Sequence, residues 1–378
     1  MDVIELASKL ADEFRSTAAE YDKTGEFPMA NYSRMREAGY LRAAVPEELG
    51  GLGAGLAQMA RAQQALARGC ASTALAVNMH QFQVGAAADG WRNGGPTEAL
   101  LRRVAEQGPI LASTGAEAIV AGEWSPSTTA ERQNGEWVLN GRKFFCSQAP
   151  GMDLVRVNAR DTESGDFLVF SVPRAAEGVS VVETWDTTGM RATASHDLLM
   201  EDVRLPEAAM GGNLGKVEPM RAGPLANVGR WFLTLVSGVY LGVAEEARAE
   251  ALKAIGTGVN SSHRNEVLTD VLVGEMEAAF LTARSVHETV ARELDAFPGD
   301  MQPAVAKAIL CKEIVTAKAV AVVDKAVEIA GGRAYFRKSP LERLARDVRA
   351  GRFHPPASPV SFQMAGERVR EQAANTAS

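Results

Sequence analysis

Cysteine is scarce in this chain, three residues in 378, and Cys70, Cys146 and Cys311 stand far apart. That spacing excludes a disulfide framework and a Cys-x-x-Cys metal knuckle, and it fits a reducing cytoplasm. Histidine is almost as rare, with five residues, and no two fall at i, i+4, so the sequence offers no paired imidazoles for a metal. Aromatic residues reach only 6%, which leaves the core to close-packed helices with small contact residues. Basic residues are outnumbered, 40 Lys and Arg against 47 Asp and Glu, and a net charge of −7 lacks the basic face that nucleic-acid binding needs. No apolar run reaches the ~18 residues of a membrane span. The longest, Trp231 to Ala244, carries Thr234, Ser237 and Tyr240. The first residues are acidic and amphipathic, without the basic start and apolar core of a signal peptide. No Gly-x-Ser-x-Gly elbow, Walker loop or His-Glu-x-x-His string occurs, so hydrolase and kinase readings lose their main support.

What is present is an ordinary globular composition, 46% apolar and 23% charged, in a length that suggests two or three domains of ~150 residues. Val3, Leu6, Leu10 and Phe14 recur at helical spacing, and helical signals continue to about Arg103. From Ile110 to about Leu205 the pattern alternates between turn signals such as Asn134-Gly135, Asn140-Gly141 and Ser164-Gly165. Trp137 to Leu139, Phe167 to Phe170 and Val179 to Val182 read as short strands, and nothing there is long enough for the helices of a doubly wound sheet. Helical periodicity then returns over Asn227 to Ile255, Asn265 to Phe297 and Pro303 to Ala330. The expected fold class is α+β multidomain: an N-terminal all-α domain (1–108), a middle antiparallel β-domain (109–217) and a C-terminal four-helix bundle (218–378).

Three features invite a functional reading. Gly50 to Gly55 looks like a nucleotide fingerprint, yet Val45-Pro46-Glu47-Glu48 before it is a poor strand, so a loop between helices is expected. His80 and His354 are candidates for an active site, though a lone polar residue is more often a satisfied side chain. The basic run from Arg333 to Arg352 suits cofactor phosphates, a solvated helix face or a subunit contact, with Glu342 and Asp347 available as partners.

Several strings resemble the acyl-CoA dehydrogenase family over essentially the whole chain. They are Phe27-Pro28 with Met35 to Tyr40 and Val45 to Gly51, then Trp137 to Ser147, then Gly189 to Thr193 with Val203 to Pro206. Ile329 to Arg333, Ser339 to Arg343 and Arg346-Asp347 complete the set. The resemblance implies a flavoenzyme with FAD, or FMN, between the β-domain and the bundle, and a homotetramer or dimer. It further implies Ser113, Thr114, Phe145, Ser147, Glu328, Gly331 and Gly332 as cofactor-binding positions. A hydroxyl beside the ring would stabilise its anionic reduced form by hydrogen bonding.

Two departures from the family follow. The Glu-Gly-Thr glutamate that usually abstracts the substrate proton falls at Pro355, next to His354, and the alternative glutamate beside Arg230 is Gly229. The Arg-x-x-Phe-Gly string that reaches the FAD pyrophosphate is missing between Lys253 and Arg264. His354 is therefore the leading candidate base, with Glu117 and His80 behind it. Three readings stand. The first is an acyl-thioester dehydrogenase that oxidises the alpha-beta bond and passes electrons to an acceptor. The second is a reduced-flavin monooxygenase served by a flavin reductase. The third is a non-catalytic scaffold or carrier-binding homologue.

Overall fold

The computed structural model describes residues 2–115, 117, 127–216, 223–256, 266–296 and 301–377. Six helices come first: α1 (Val3–Arg15), α2 (Ala18–Thr24), α3 (Met29–Glu37), α4 (Leu56–Gly69), α5 (Ala71–Arg92) and α6 (Glu98–Gln107). The periodicity of α1 buries Val3, Leu6, Leu10 and Phe14 on one face, and the Asp2 carboxylate accepts the Ile4 N–H at its start. The glycine run ends at Gly55, the cap of α4, and no strand precedes it, so it is the expected loop.

Eight strands follow: β1 (Leu111–Thr114), β2 (Thr129–Gln133), β3 (Glu136–Cys146), β4 (Leu154–Asp161), β5 (Phe167–Pro173), β6 (Val179–Val182), β7 (His196–Pro206) and β8 (Met210–Asn213). They form one sheet in the order β6-β7-β3-β2-β4-β5-β8, with β1 beside β4. Asn134 and Gly135 both take positive φ and make the tight β2–β3 hairpin, as their pairing predicts. Asn140-Gly141 differs from expectation: it lies inside β3, at a register shift against β7, because β3 runs on through a bulge. The sheet is also not purely antiparallel, since β1 and β2 run parallel to β4. Alternation marks a strand but carries no information on its direction.

The last part holds α7 (Gly223–Gly256), α8 (Glu266–Glu293), α9 (Met301–Ala330), α10 (Pro340–Asp347) and α11 (Ser358–Ala377). Helix α9 packs on α7 and α8, the short α10 packs on both α7 and α9, and α11 lies on α9. The two helical regions share one apolar core that runs from Leu10, Leu41 and Leu66 to Val239 and Val323. The sheet keeps a separate core around Leu139, Val157, Phe170 and Leu198. Small residues allow the helical fusion: a Cβ on Gly242 of α7 would stand 2.2 Å from the Gln64 carbonyl of α4. Among the described residues, no helix is long and apolar enough to cross a membrane.

Candidate active site

Strand β3 slips register against β7 between Lys143 and Cys146, and Phe145 in the slip takes φ 57. A bulky residue in that region costs about 1–3 kcal/mol, and such bulges re-aim side chains at functional sites. Here the bulge turns Phe145 outward, 62% exposed, beside a fully buried Cys146. The Thr114 hydroxyl donates to the Phe144 carbonyl at 2.6 Å and holds the bulge from β1. Trp185 stands edge-on to Phe145, centroids 6.0 Å apart. Its indole N–H donates to the Met190 carbonyl at 3.1 Å, and its backbone N–H, with that of Thr184, donates to His196 Nδ1.

Beside Phe145 runs a row of hydroxyls. Ser147 Oγ lies 2.8 Å from Ser195 Oγ, Ser195 Oγ lies 2.8 Å from Thr193 Oγ1, and Thr193 Oγ1–H donates to the Met190 carbonyl at 2.9 Å. The segment that carries this row docks on α10, where the Met190 N–H donates to Asp347 Oδ1 at 2.5 Å. Burial pushes that carboxyl up to about 6. Glycine at 189 is what lets the chains approach, because a Cβ there would meet the Arg346 carbonyl at 2.5 Å. Arg346 in turn binds Asp22, Glu342 and the Thr188 carbonyl, so this member of the basic run joins three segments. Arg349 pairs with Asp324 at 2.8 Å.

On the helical side, His354 follows a 3-10 turn over Val348–Phe353. Its ring meets Phe232 of α7 edge-on at 6.0 Å, and Phe232 meets Phe82 of α5 at 5.4 Å. Lys312 of α9 donates to the His354 and Pro356 carbonyls at 3.2 and 2.8 Å and pairs with Glu313 at 2.5 Å. Burial, helped by the Lys312 charge, pushes the imidazole down to about 4, so it is neutral at neutral pH. Its Nε2 stands 2.7 Å from the Tyr240 hydroxyl. That hydroxyl has no other partner among the described residues and stays protonated, because burial raises its pKa well above normal. The arrangement that satisfies its proton is donation to Nε2, which leaves the ring proton of His354 on Nδ1.

Strand β1 links the two halves. The Leu111 carbonyl accepts from Gln83 of α5 at 3.2 Å and from Gln148 at 2.7 Å.

Two of the expected bases are already occupied. His80 is fully buried, accepts the Leu111 N–H on Nδ1 at 3.2 Å and donates Nε2–H to the Leu41 carbonyl at 2.6 Å, so it is a strut between α5 and β1. Glu117 pairs with buried Lys143 and accepts from the Ser127 hydroxyl at 2.9 Å and the Thr128 N–H at 3.2 Å, so it holds the start of β2. Thr114, expected at the cofactor, uses its hydroxyl on the bulge. Ser113, next to it, is half-buried. Glu328 is an exposed partner of Lys325 at 3.0 Å. Gly331, at φ 65, begins the turn after α9, and no atom lies within 4 Å of a Cβ on Gly332. The stretch between Lys253 and Arg264 that should reach the FAD phosphates lies, from 257 onward, outside the described residues. Sequence reasoning did not find Tyr240, Trp185 or Ser195, whose roles come from partners distant in the chain. Thr193 belonged to a recognised string but carried no assigned role. Among the described residues, no group of three or more His, Cys, Asp or Glu is placed to hold a metal.

Three family models match the chain in its own order: the acyl-CoA dehydrogenase N-terminal domain over 3–108, the middle domain over 121–203 and the C-terminal domain over 234–359. YdbM of Bacillus subtilis (strain 168), whose name assigns it provisionally to the acyl-CoA dehydrogenases, is 33% identical over 93% of this chain and 92% of its own. L-evernosamine nitrososynthase of a Micromonospora species is 31% identical over 95% of this chain and 87% of its own. The structure of KijD3 with FMN and dTDP-3-amino-2,3,6-trideoxy-4-keto-3-methyl-D-glucose superposes with a TM-score of 0.87 at 28% identity, covering 98% of this chain and 93% of that one. With the three-part fold, these matches establish that the chain belongs to the acyl-CoA dehydrogenase family of flavin-dependent enzymes.

Proposed function

We propose that this protein is a monooxygenase that takes FMN already reduced by a separate flavin reductase and oxidises the nitrogen of a small amine. The observation that carries the proposal is His354: beside Pro355, where the family's glutamate falls in the sequence, burial holds its imidazole neutral and its Nε2 lies 2.7 Å from the Tyr240 hydroxyl. A base of pKa about 4 is poorly matched to removing a carbon-bound proton at neutral pH. The other two candidates, His80 and Glu117, are tied into the framework. The amine is suggested by the nitrososynthase at 31% identity and by the amino sugar nucleotide bound to KijD3. The dehydrogenase reading keeps the support of YdbM's name but has no base among the residues the sequence offered for it.

The residues present fit a planar flavin ring. Phe145 and Trp185 offer an aromatic surface that the bulge holds out into solvent, and Ser147 and Ser113 offer polar groups beside it. Reduced flavin, when bound, supplies the two electrons that oxygen activation requires. The chain's own part is to seat the ring on Phe145, to keep water from the helical wall with Phe82 and Phe232, and to hold a proton at His354 Nδ1. Exposed apolar side chains on α8, α9 and α11, among them Val267, Leu310, Phe362 and Val369, support assembly into a homo-oligomer.

The test begins anaerobically with FMN-loaded protein. Butyryl-CoA and octanoyl-CoA are expected to leave the visible flavin absorbance unchanged. With reduced FMN and air, a dTDP-linked amino sugar is expected to gain oxygen at nitrogen. Anaerobic bleaching by an acyl-CoA would return the dehydrogenase reading to first place.

A further inference from the structure

The chain after His354 is short of donors to hold itself. Pro355 and Pro356 have no N–H, so the segment that follows the imidazole lacks two of the groups by which a turn closes on its own backbone. Its carbonyls are satisfied from α9 instead. Lys312 is fully buried, and an ammonium has three protons to give. They go to the His354 carbonyl at 3.2 Å, to the Pro356 carbonyl at 2.8 Å and to Glu313 Oε1 at 2.5 Å, so none is left over. One turn further along α9, Thr316 lies against the 3-10 turn that precedes His354, where a Cβ on Gly351 would meet its side chain at 2.9 Å. The pair also reaches α11. Glu313 Oε2 accepts the hydroxyl of Ser358, the first residue of that helix, at 2.8 Å, and the Ser361 hydroxyl donates to the same Pro356 carbonyl at 3.2 Å. A lysine that served only to neutralise Glu313 would need neither carbonyl.

We propose that Lys312 is a positioning residue for His354, and that the Lys312–Glu313 pair couples the docking of α11 to the placing of the imidazole against Tyr240. The inference rests on the reading of His354 as the group that holds the proton. Lys312 bonds to neither ring nitrogen, so it acts through the backbone that carries the ring and through its charge. Helix α7 offers the ring Tyr240 and Phe232, and α9 offers Lys312 with Glu313 one residue on. Burial first, and then the Lys312 charge, disfavours a second proton on the imidazole. A helix at the C-terminal end of the chain thereby takes part in setting the state of a side chain that it does not itself carry.

The test reads His354 in the full chain labelled with 15N-histidine, its signal being the one absent from His354→Gln. The wild type is expected to show a single Nδ1–H form that takes up a proton only near pH 4. Lys312→Met with Glu313→Leu removes the contacts without leaving a buried carboxylate. It is expected to give a mixture of tautomers and to move the titration upward by about one unit, since the charge is gone and the ring is less tightly enclosed. Oxygen-dependent turnover should fall about tenfold at unchanged affinity for reduced FMN. A merely structural role would lower stability and leave the ring as it was. Ser358→Ala is expected to move the same resonances in the same direction by less, which also covers a failure of the double variant to fold. An unchanged tautomer and titration in the folded double variant overturn the positioning role, and unchanged resonances in Ser358→Ala overturn the coupling to α11. A disordered tautomer with full turnover overturns the part given to His354 in the proposed function and leaves the positioning by Lys312 standing.

Discussion

Tyr240 Oη and His354 Nε2 meet at 2.7 Å across 114 residues of sequence. One hydroxyl proton at this contact decides which face of the imidazole can give a proton and which cannot. Lys312 holds the backbone at His354 and two residues beyond it, through the His354 and Pro356 carbonyls.

Tyr240→Phe is expected to cost no more than about 1.5 kcal/mol of stability, the worth of one hydrogen bond. It should nevertheless disturb the tautomer of His354, which 15N NMR of the imidazole reads directly: the wild type shows a single Nδ1–H form and the variant a mixture. His354→Ala should lower oxygen-dependent turnover about a hundredfold, and the double variant should be no slower than His354→Ala. Additive losses would separate the two residues.

Phe145→Gly should separate stability from binding. Glycine accepts φ 57 without strain, so the variant should unfold at higher denaturant than Phe145→Ala, by about 1 kcal/mol. Both variants should lose FMN affinity about tenfold or more, since each removes an exposed ring rather than a core contact. Equilibrium denaturation and anaerobic titration read the two effects independently.

Breaking the Lys143–Glu117 pair should be severe. Lys143→Met leaves a buried carboxylate and is expected to cost about 3–5 kcal/mol, and Lys143→Met with Glu117→Leu should recover part of it. Urea midpoints of the single and double variants provide the comparison. A double variant less stable than Lys143→Met would show that the Ser127 and Thr128 contacts of Glu117 outweigh the ion pair.

His80 should make the fold acid-sensitive. Burial holds its pKa at about 4 against an ordinary 6.5, so below 6.5 the unfolded chain binds a proton that the folded chain refuses. Its contribution is whole above 6.5 and is lost as pH falls toward 4, on the order of 3 kcal/mol in all. Asp347, raised from 3.8 to about 6, acts in the opposite sense, because the folded chain takes up its proton first and loses that stability as pH rises through 6. His80→Gln should therefore flatten the fall in stability across this window. An unchanged slope would place the acid sensitivity elsewhere.

The three-part order was legible because helix and strand periods differ, and Asn134-Gly135 marked its hairpin by the backbone angles those residues accept. Asn140-Gly141 has the same composition but sits in a bulge, since pairing with β7 outweighs the local turn preference. The parallel run of β1 on β4 was hidden, as strand direction depends on where the chain returns. Phe145, Ser147 and His354 could be named from local strings. The contacts they make could not, for their partners Ser195, Trp185 and Tyr240 are brought to them only by folding. Glu117 and His80 were plausible bases by residue type, and burial with fully used polar atoms shows both to be framework.

The shared core of the two helical regions also bears on the order in which the molecule can be made. The sheet closes over its own apolar residues and can form as soon as its strands have left the ribosome. Helices α4 and α5 cannot bury their contact faces until α7 arrives, after the whole sheet has been synthesised. Their apolar surface must wait exposed for that interval, so the nascent N-terminal region is where chaperone capture and aggregation should concentrate.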